Sequence, residues 1–152
     1  MVPLVLPYLA CVFAGRCLLS IADQLKSKVG IGLEPTVYEV EKSAIRRFVE
    51  AIGDPNPRWQ VAAPPTFILI VGLERIQSLF DSAGTLLHGS TELECFQDVR
   101  PGDVITATTT ISNVRARESK TRTTSFITIE TEYENQEAEV VARSRQLVIA
   151  YD

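Results

Sequence analysis

The sequence predicts an α+β domain, with helices in its first half and a long-stranded antiparallel sheet in its second. Three observations predict it. Apolar residues recur at helical spacing over 44–53 and form a near-continuous run over 66–80. Stretches rich in Thr, Ile and Val alternate with period two over 104–114, 121–133 and 138–151. Turn chemistry separates those stretches, as RPGD at 100–103 and the polar ENQE at 134–137.

The chain of 152 residues suits one domain with one sizeable core. Its hydrophobic fraction of 45% and net charge of -4 are those of a globular protein and argue against disorder. The acidic balance also argues against nucleic acid. Arg115, Arg117, Lys120 and Arg122 form a local basic cluster flanked by acidic residues, and a hairpin with a solvated turn accounts for it more simply than phosphate binding. Three cysteines, at 11, 17 and 95, have neither the even count of a disulfide framework nor a CxxC spacing. With a single histidine, zinc ligation is not expected. Reduced cysteines and a cytoplasmic location are the expectation.

Residues 1–20 are strongly apolar, but Pro3, Pro7 and Arg16 interrupt them and no basic n-region precedes them. The run is too short and too broken for a membrane span. Three readings stay open: a leader packed in the core or an interface, a start site placed too far upstream, or targeting. Residues 1–29 are therefore separated, as an apolar leader and short helix, from a single domain over 30–152.

The elements follow in order. Residues 18–29 carry Ile21 and Leu25 four apart, a short amphipathic helix ended by Gly30 and Gly32. Val37 and Val40 frame a short first strand. Ser43 is placed to cap a helix whose apolar face is Ile45, Phe48, Val49 and Ile52, with Gly53 closing it. GDPNPRW is a turn, since Pro55 and Pro57 exclude regular helix or central strand. Thr66 is placed to cap one continuous helix over 66–80, apolar nearly all round as in a helix surrounded by protein. A strand is expected from about residue 86 through Leu93 and Cys95. In the next strand Ile105, Ala107, Thr109 and Ile111 share one face, opposite Val104, Thr106, Thr108 and Thr110. A long helix laid on a long-stranded sheet is the economical way to cover these faces.

Four motifs in register carry a family resemblance. They are Gly53-Asp54 with Asn56-Pro57, then Ala63-Pro64-Pro65-Thr66-Phe67, then Leu87-His88-Gly89, and Arg100-Pro101-Gly102-Asp103. Over about residues 30–150 the chain resembles the MaoC-like (R-enoyl-CoA hydratase-like) family. It is most similar to the N-terminal half of FAS1-type dehydratases and to 3-hydroxyacyl-carrier-protein dehydratase subunits. The resemblance implies a hot-dog fold, a sheet wrapped around a central helix, with two such units side by side and acyl-thioester sites at their interface. It also implies fatty acid metabolism, an acyl-CoA or acyl carrier protein thioester as ligand, and a homodimer or a heterodimer with another hot-dog domain.

Active members of that family carry an aspartate followed five positions later by a histidine. Hydration or dehydration of a thioester needs a group that exchanges a proton near neutral pH beside a second acid–base group. Asp54 matches the aspartate, but Trp59 stands at the histidine position, and an indole has no nitrogen that accepts a proton. Asp54 is also readable as a plain turn residue, with Asn56 ordering the same turn. Only residues 58–62 separate the NP and APPTF motifs, where the resembled proteins carry a longer excursion. Backbone N–H groups at Thr66 and Phe67 are candidates to polarise a thioester carbonyl, against the alternative of an ordinary helix start. Phe67 to Val71, including Ile70, are readable as core or as acyl-tunnel wall. His88, the single histidine, is readable as a hydrogen-bonded structural residue or as a displaced base. No glycine-rich phosphate cradle marks a nucleotide cofactor, and no cofactor is expected.

Three functions are compatible with these residues. The leading one is a subunit or degenerate half of a 3-hydroxyacyl-thioester dehydratase or hydratase that lacks the histidine. In it, Asn56, Trp59, Thr66, Phe67 and Ile70 contact substrate. The second is an autonomous hydro-lyase using Asp54 and His88. The third is a non-catalytic structural or binding homodimer.

Overall fold

The computed structural model describes residues 20–120 and 122–151. Of the apolar leader expected over residues 1–20, residues 1–19 lie outside them. Helix α1 (Ile21–Lys26) begins at Ser20, whose Oγ accepts from the Asp23 N–H at 3.2 Å, and it buries Ile21, Ala22 and Leu25. Strand β1 (Thr36–Glu39) follows. Helix α2 (Lys42–Ile52) turns Ala44 and Ile45 into the core and Arg46, Arg47 and Glu50 to solvent. Gly53 ends it in the left-handed region at φ 67°. The expected Ser43 cap is not formed. The helix starts two residues earlier, behind Glu41, and the Ser43 Oγ instead donates to Glu41 Oε2 at 2.7 Å. Ile52, in the last turn, is exposed.

The continuous helix expected over 66–80 is broken in two. A 3₁₀ stretch, Pro65–Ile70, passes through Val71 in extended conformation and Gly72 at φ 80° into helix α3 (Leu73–Ser78). Two physical causes are visible. Ile68, Ile70 and Val71 are β-branched and carry weak helix propensity. Gly72 takes φ 80°, outside the helical region and a conformation that L side chains rarely adopt, so the chain turns there. Thr66 lies inside the 3₁₀ stretch, and the cap position is Pro64, which makes no side-chain cap bond.

Four long strands complete the chain: β2 (Thr85–Cys95), β3 (Val104–Glu118), β4 (Thr123–Glu134) and β5 (Val140–Tyr151). The sheet order is β1-β3-β4-β5-β2, antiparallel throughout. The turn at 100–103 forms as expected. Arg100 O accepts from the Asp103 N–H at 3.1 Å, and Gly102 takes φ 92°. At the reversal after β4, Asn135 Oδ1 accepts from the N–H groups of Glu137 and Glu139.

Of the two β3 faces that sequence alternation separates, the one carrying Ile105, Ala107, Thr109 and Ile111 is the inner one, and all four are buried. The apolar core on this face falls into two groups. Ile45, Phe67, Ile68, Ile105 and Tyr133 lie in one, under α2 and the 3₁₀ stretch. Ile21, Leu25, Ile76, Phe80, Ile111, Ile127 and Ile129 lie in the other, under α1 and α3. Between them along the strands sit Thr109 and Thr131, cross-strand partners whose hydroxyls bond at 3.0 Å. Each satisfies the other, so a polar pair is buried without an orphaned donor. β2 differs from the other strands. It forms one edge of the sheet, and ten of its residues are exposed, with only Leu93 partly covered.

Candidate functional site

The loop after α2 carries the densest side-chain network in the first half. Asp54 Oδ1 accepts from the Asn56 N–H at 3.1 Å, and Asn56 Oδ1 accepts from the Arg58 N–H at 3.0 Å. These two turns deliver the chain into a 3₁₀ turn, Pro57–Gln60, with Pro57 preset for its first position. That turn brings Trp59 back over Asp54. The indole Nε1–H donates to Asp54 Oδ2 at 2.8 Å, in a partly buried setting. Both oxygens of the carboxylate are thus engaged by N–H donors.

Arg58 pins the loop to the segment that follows β2. Its guanidinium pairs with Asp98 Oδ1 at 2.6 Å and lies 5.8 Å from the Trp59 ring centroid, a cation–π distance. The Ala63 N–H donates to Val99 O at 2.7 Å. The loop therefore sits at the Cys95 end of β2. A narrow crevice of about 40 Å³ opens there, between Ala63, Pro64, Pro65 and Ile68 on one side and Cys95, Val99 and Ala142 on the other. Ligand sites usually span roughly 300–1,000 Å³. One chain alone does not enclose an acyl-sized cavity at this loop.

Other sequence candidates lie elsewhere. His88 sits on β2 opposite Val148, at the end of the sheet covered by α1 and α3. Its Nε2 is 3.1 Å from Thr91 Oγ1. Seven residues of strand separate it from Cys95, roughly 20 Å at strand rise. The fold does not bring His88 to Asp54 within one chain. Phe67 is fully buried in the core and meets Phe48 edge-to-face at 5.5 Å and Tyr38 at 6.3 Å. Its N–H donates to Pro64 O at 2.9 Å, which leaves Thr66 as the first N–H on offer at this turn. The field behind that donor is that of a six-residue 3₁₀ stretch, since the helix is broken. Ile70 is exposed on the far side, in a hollow shared with Tyr38, Gly72 and Leu73 beside β1. Arg58 and Asp98 were not anticipated as part of the loop. A cation beside the indole was a local signal, but its partner is forty residues away.

An antiparallel sheet in the order β1-β3-β4-β5-β2, laid over a broken central helix, defines a hot-dog domain of the MaoC-like dehydratase type. Solved structures share it. The ChsH1–ChsH2 complex from Mycobacterium tuberculosis superposes with a TM-score of 0.65 at 21% identity, covering 85% of this chain and 88% of that one. The C-terminally truncated HadBC (3R-hydroxyacyl-ACP dehydratase) complex from the same organism gives 0.65 at 17% identity, covering 80% and 98%. A MaoC-like dehydratase from Rhodospirillum rubrum gives 0.59 at 23%, covering 81% and 92%. The FAS1-like, dehydratase domain region model matches residues 27–144, and the chain belongs to that family. Among curated relatives, a UPF0336 protein of Thermobifida fusca is 29% identical over 133 residues, 76% of this chain and 85% of its own length. One from Streptomyces avermitilis is 31% identical over 110 residues, 60% and 73%. No described helix is long and apolar enough to cross a membrane.

Proposed function

We propose that this chain is the non-catalytic subunit of a 3-hydroxyacyl-thioester dehydratase or hydratase, working beside a histidine-bearing hot-dog partner. One observation carries the reading. The residue five positions after Asp54 reaches the aspartate, but it does so with an indole N–H. An indole donates and never accepts a proton, so position 59 supplies no base beside the Asp54 carboxylate, where thioester hydration calls for two acid–base groups. The small crevice beside the loop supports the same reading, because a second chain is needed to wall an acyl site. So does β2, whose exposed edge leaves backbone donors and acceptors for another strand. Its ligand in this reading is an acyl-CoA or acyl-carrier-protein thioester held between the two chains, in the cytoplasm.

The test is hydration of crotonyl-CoA and a longer enoyl-CoA by the purified chain, alone and after mixing with a histidine-bearing hot-dog protein. Turnover is expected only in the mixture. Turnover by the chain alone at ordinary enzyme rates overturns the reading. His88→Gln in the mixture is expected to leave the rate within a few-fold. A general base contributes typically about 10²–10⁴-fold, so a loss of that size would make His88 the base instead.

A further inference from the structure

We propose that the outer sheet face at the β3–β4 end is a docking surface for an acidic, amphipathic protein segment. That segment belongs to the protein that carries the thioester, an identification that rests on the function proposed above.

Arg115, Arg117, Lys120 and Arg122 fall within eight residues of a chain whose net charge is -4. Among the described residues, the ion pairs engage Lys26, Arg46, Arg58, Arg75, Arg143 and Arg145, and none of these four. The contrast with the rest of the same face is informative. Toward the other end, Arg143 lies in register between Glu132 and Glu94, and Arg145 between Glu130 and Glu92. Those arginines are neutralised by their own sheet, and the cations near the hairpin are not.

A solvated hairpin turn needs charge but no apolar floor, and here there is one. Arg115 stands opposite Phe126, Phe126 opposite Ile149, and Ile149 opposite Leu87, one row across four strands. All four point away from the core, because their neighbours Ile127 and Ala150 are buried on the inner face. Phe126 and Leu147 floor a hollow of about 450 Å³ walled by Arg115, Arg117, Asn113 and Thr128. Arg122 lies 4.6 Å over the Tyr151 ring at its margin. Unpaired guanidinium groups around an apolar hollow complement carboxylates around an apolar side chain. The glutamate rows alongside disfavour a long polyanion such as nucleic acid and confine the attraction to a compact partner.

The position also fits delivery to the partner subunit. Two chains pairing antiparallel through β2 set the Thr85 end of one beside the Cys95 end of the other. The hairpin of this chain, one strand row from Thr85 and Tyr151, then flanks the partner's loop and not its own.

Calorimetric titration of the full chain with a bacterial holo acyl carrier protein, and separately with coenzyme A, tests this. The carrier protein is expected to bind, more weakly as salt rises. Arg115→Glu/Arg117→Glu is expected to weaken it by about tenfold or more, since like charges then oppose. Arg46→Glu/Arg47→Glu on α2 makes the same charge change elsewhere and is expected to have no effect. Arg115→Gln/Arg117→Gln, with an unchanged unfolding curve, guards against misfolding and is expected to give an intermediate loss. Absent binding, binding indifferent to the arginines, or arginine-dependent binding of coenzyme A in place of the carrier protein overturns the proposal. Arginine-dependent binding in a chain that yields no turnover with any histidine-bearing partner upholds the docking surface and defeats the function above.

Discussion

Trp59 and Asp54 are joined by an indole N–H to carboxylate bond of 2.8 Å across an interval of five residues. With the Asn56 N–H on the other carboxylate oxygen, the bond closes the loop on itself. It ties the turn at Pro57–Gln60 back onto the end of α2, where Gly53 has just reversed the chain. The loop is then a brace between α2 and the segment following β2, with Arg58 and Asp98 as its second fastening.

Trp59→Phe retains most of the ring contact and deletes this bond. Hydrogen bonds to charged groups contribute about 1.5–3 kcal/mol, and partial exposure lowers that to about 1 kcal/mol here. Urea unfolding monitored by circular dichroism is expected to show the midpoint falling with an unchanged slope. An unmoved midpoint would mean that the indole contributes packing alone.

Edge pairing through β2 gives a second expectation. Leu86 and Leu87 are exposed near one end of the strand. Wild-type protein, alone or with its hot-dog partner, is expected to sediment well above the 16.8 kDa of one chain. Leu86→Lys/Leu87→Lys places charge on that edge and is expected to shift the assembly toward single chains. Sedimentation indifferent to the pair would move the interface elsewhere.

Gly72 breaks the central helix at φ 80°, a conformation that L side chains rarely adopt. Gly72→Ala places a Cβ at ordinary contact distance from Ala107, so the cost is backbone strain more than collision. A loss of about 1–2 kcal/mol is expected from thermal unfolding, in contrast to the small gain seen where alanine suits the backbone.

Tyr133 supplies a pH dependence. Burial pushes its phenol above the ordinary value near 10, only partly opposed by hydrogen bonds from Ser144 and Thr131. Below that value both folded and unfolded chains keep the proton, and the folded state's preference is fully present. Above it the unfolded chain ionises first, so stability falls as pH rises, by at most about 1.4 kcal/mol per pH unit. Tyr133→Phe is expected to flatten the alkaline decline in unfolding midpoint between about pH 10 and 11. An equally steep decline in the variant would assign the effect to other groups.

Much of the fold was legible because its signals are local. Alternation groups Ile105, Ala107, Thr109 and Ile111 on one face, since successive side chains on a strand point to opposite sides, and that face is the buried one. Pro101 and Gly102 mark a turn wherever they stand. Ser43 and Thr66 misled for the same reason: each is a good cap residue, and neither caps. Capping is decided by where the preceding chain is held. Val40 is tied to the turn at 100–103 through Asp103 O, and Pro64 is buried.

The sequence by itself determined the α+β class, the turn positions, the division of strand residues between two faces and the absence of a proton-accepting group at position 59. Each of these depends on residue type and short-range spacing alone. Only the tertiary structure decided that Gly72 divides the central helix, that Phe67 is core, that His88 and Asp54 lie at opposite ends of the sheet, and that Trp59 donates to Asp54. These depend on which strands neighbour one another and how closely a backbone approaches the sheet, and long-range packing sets both.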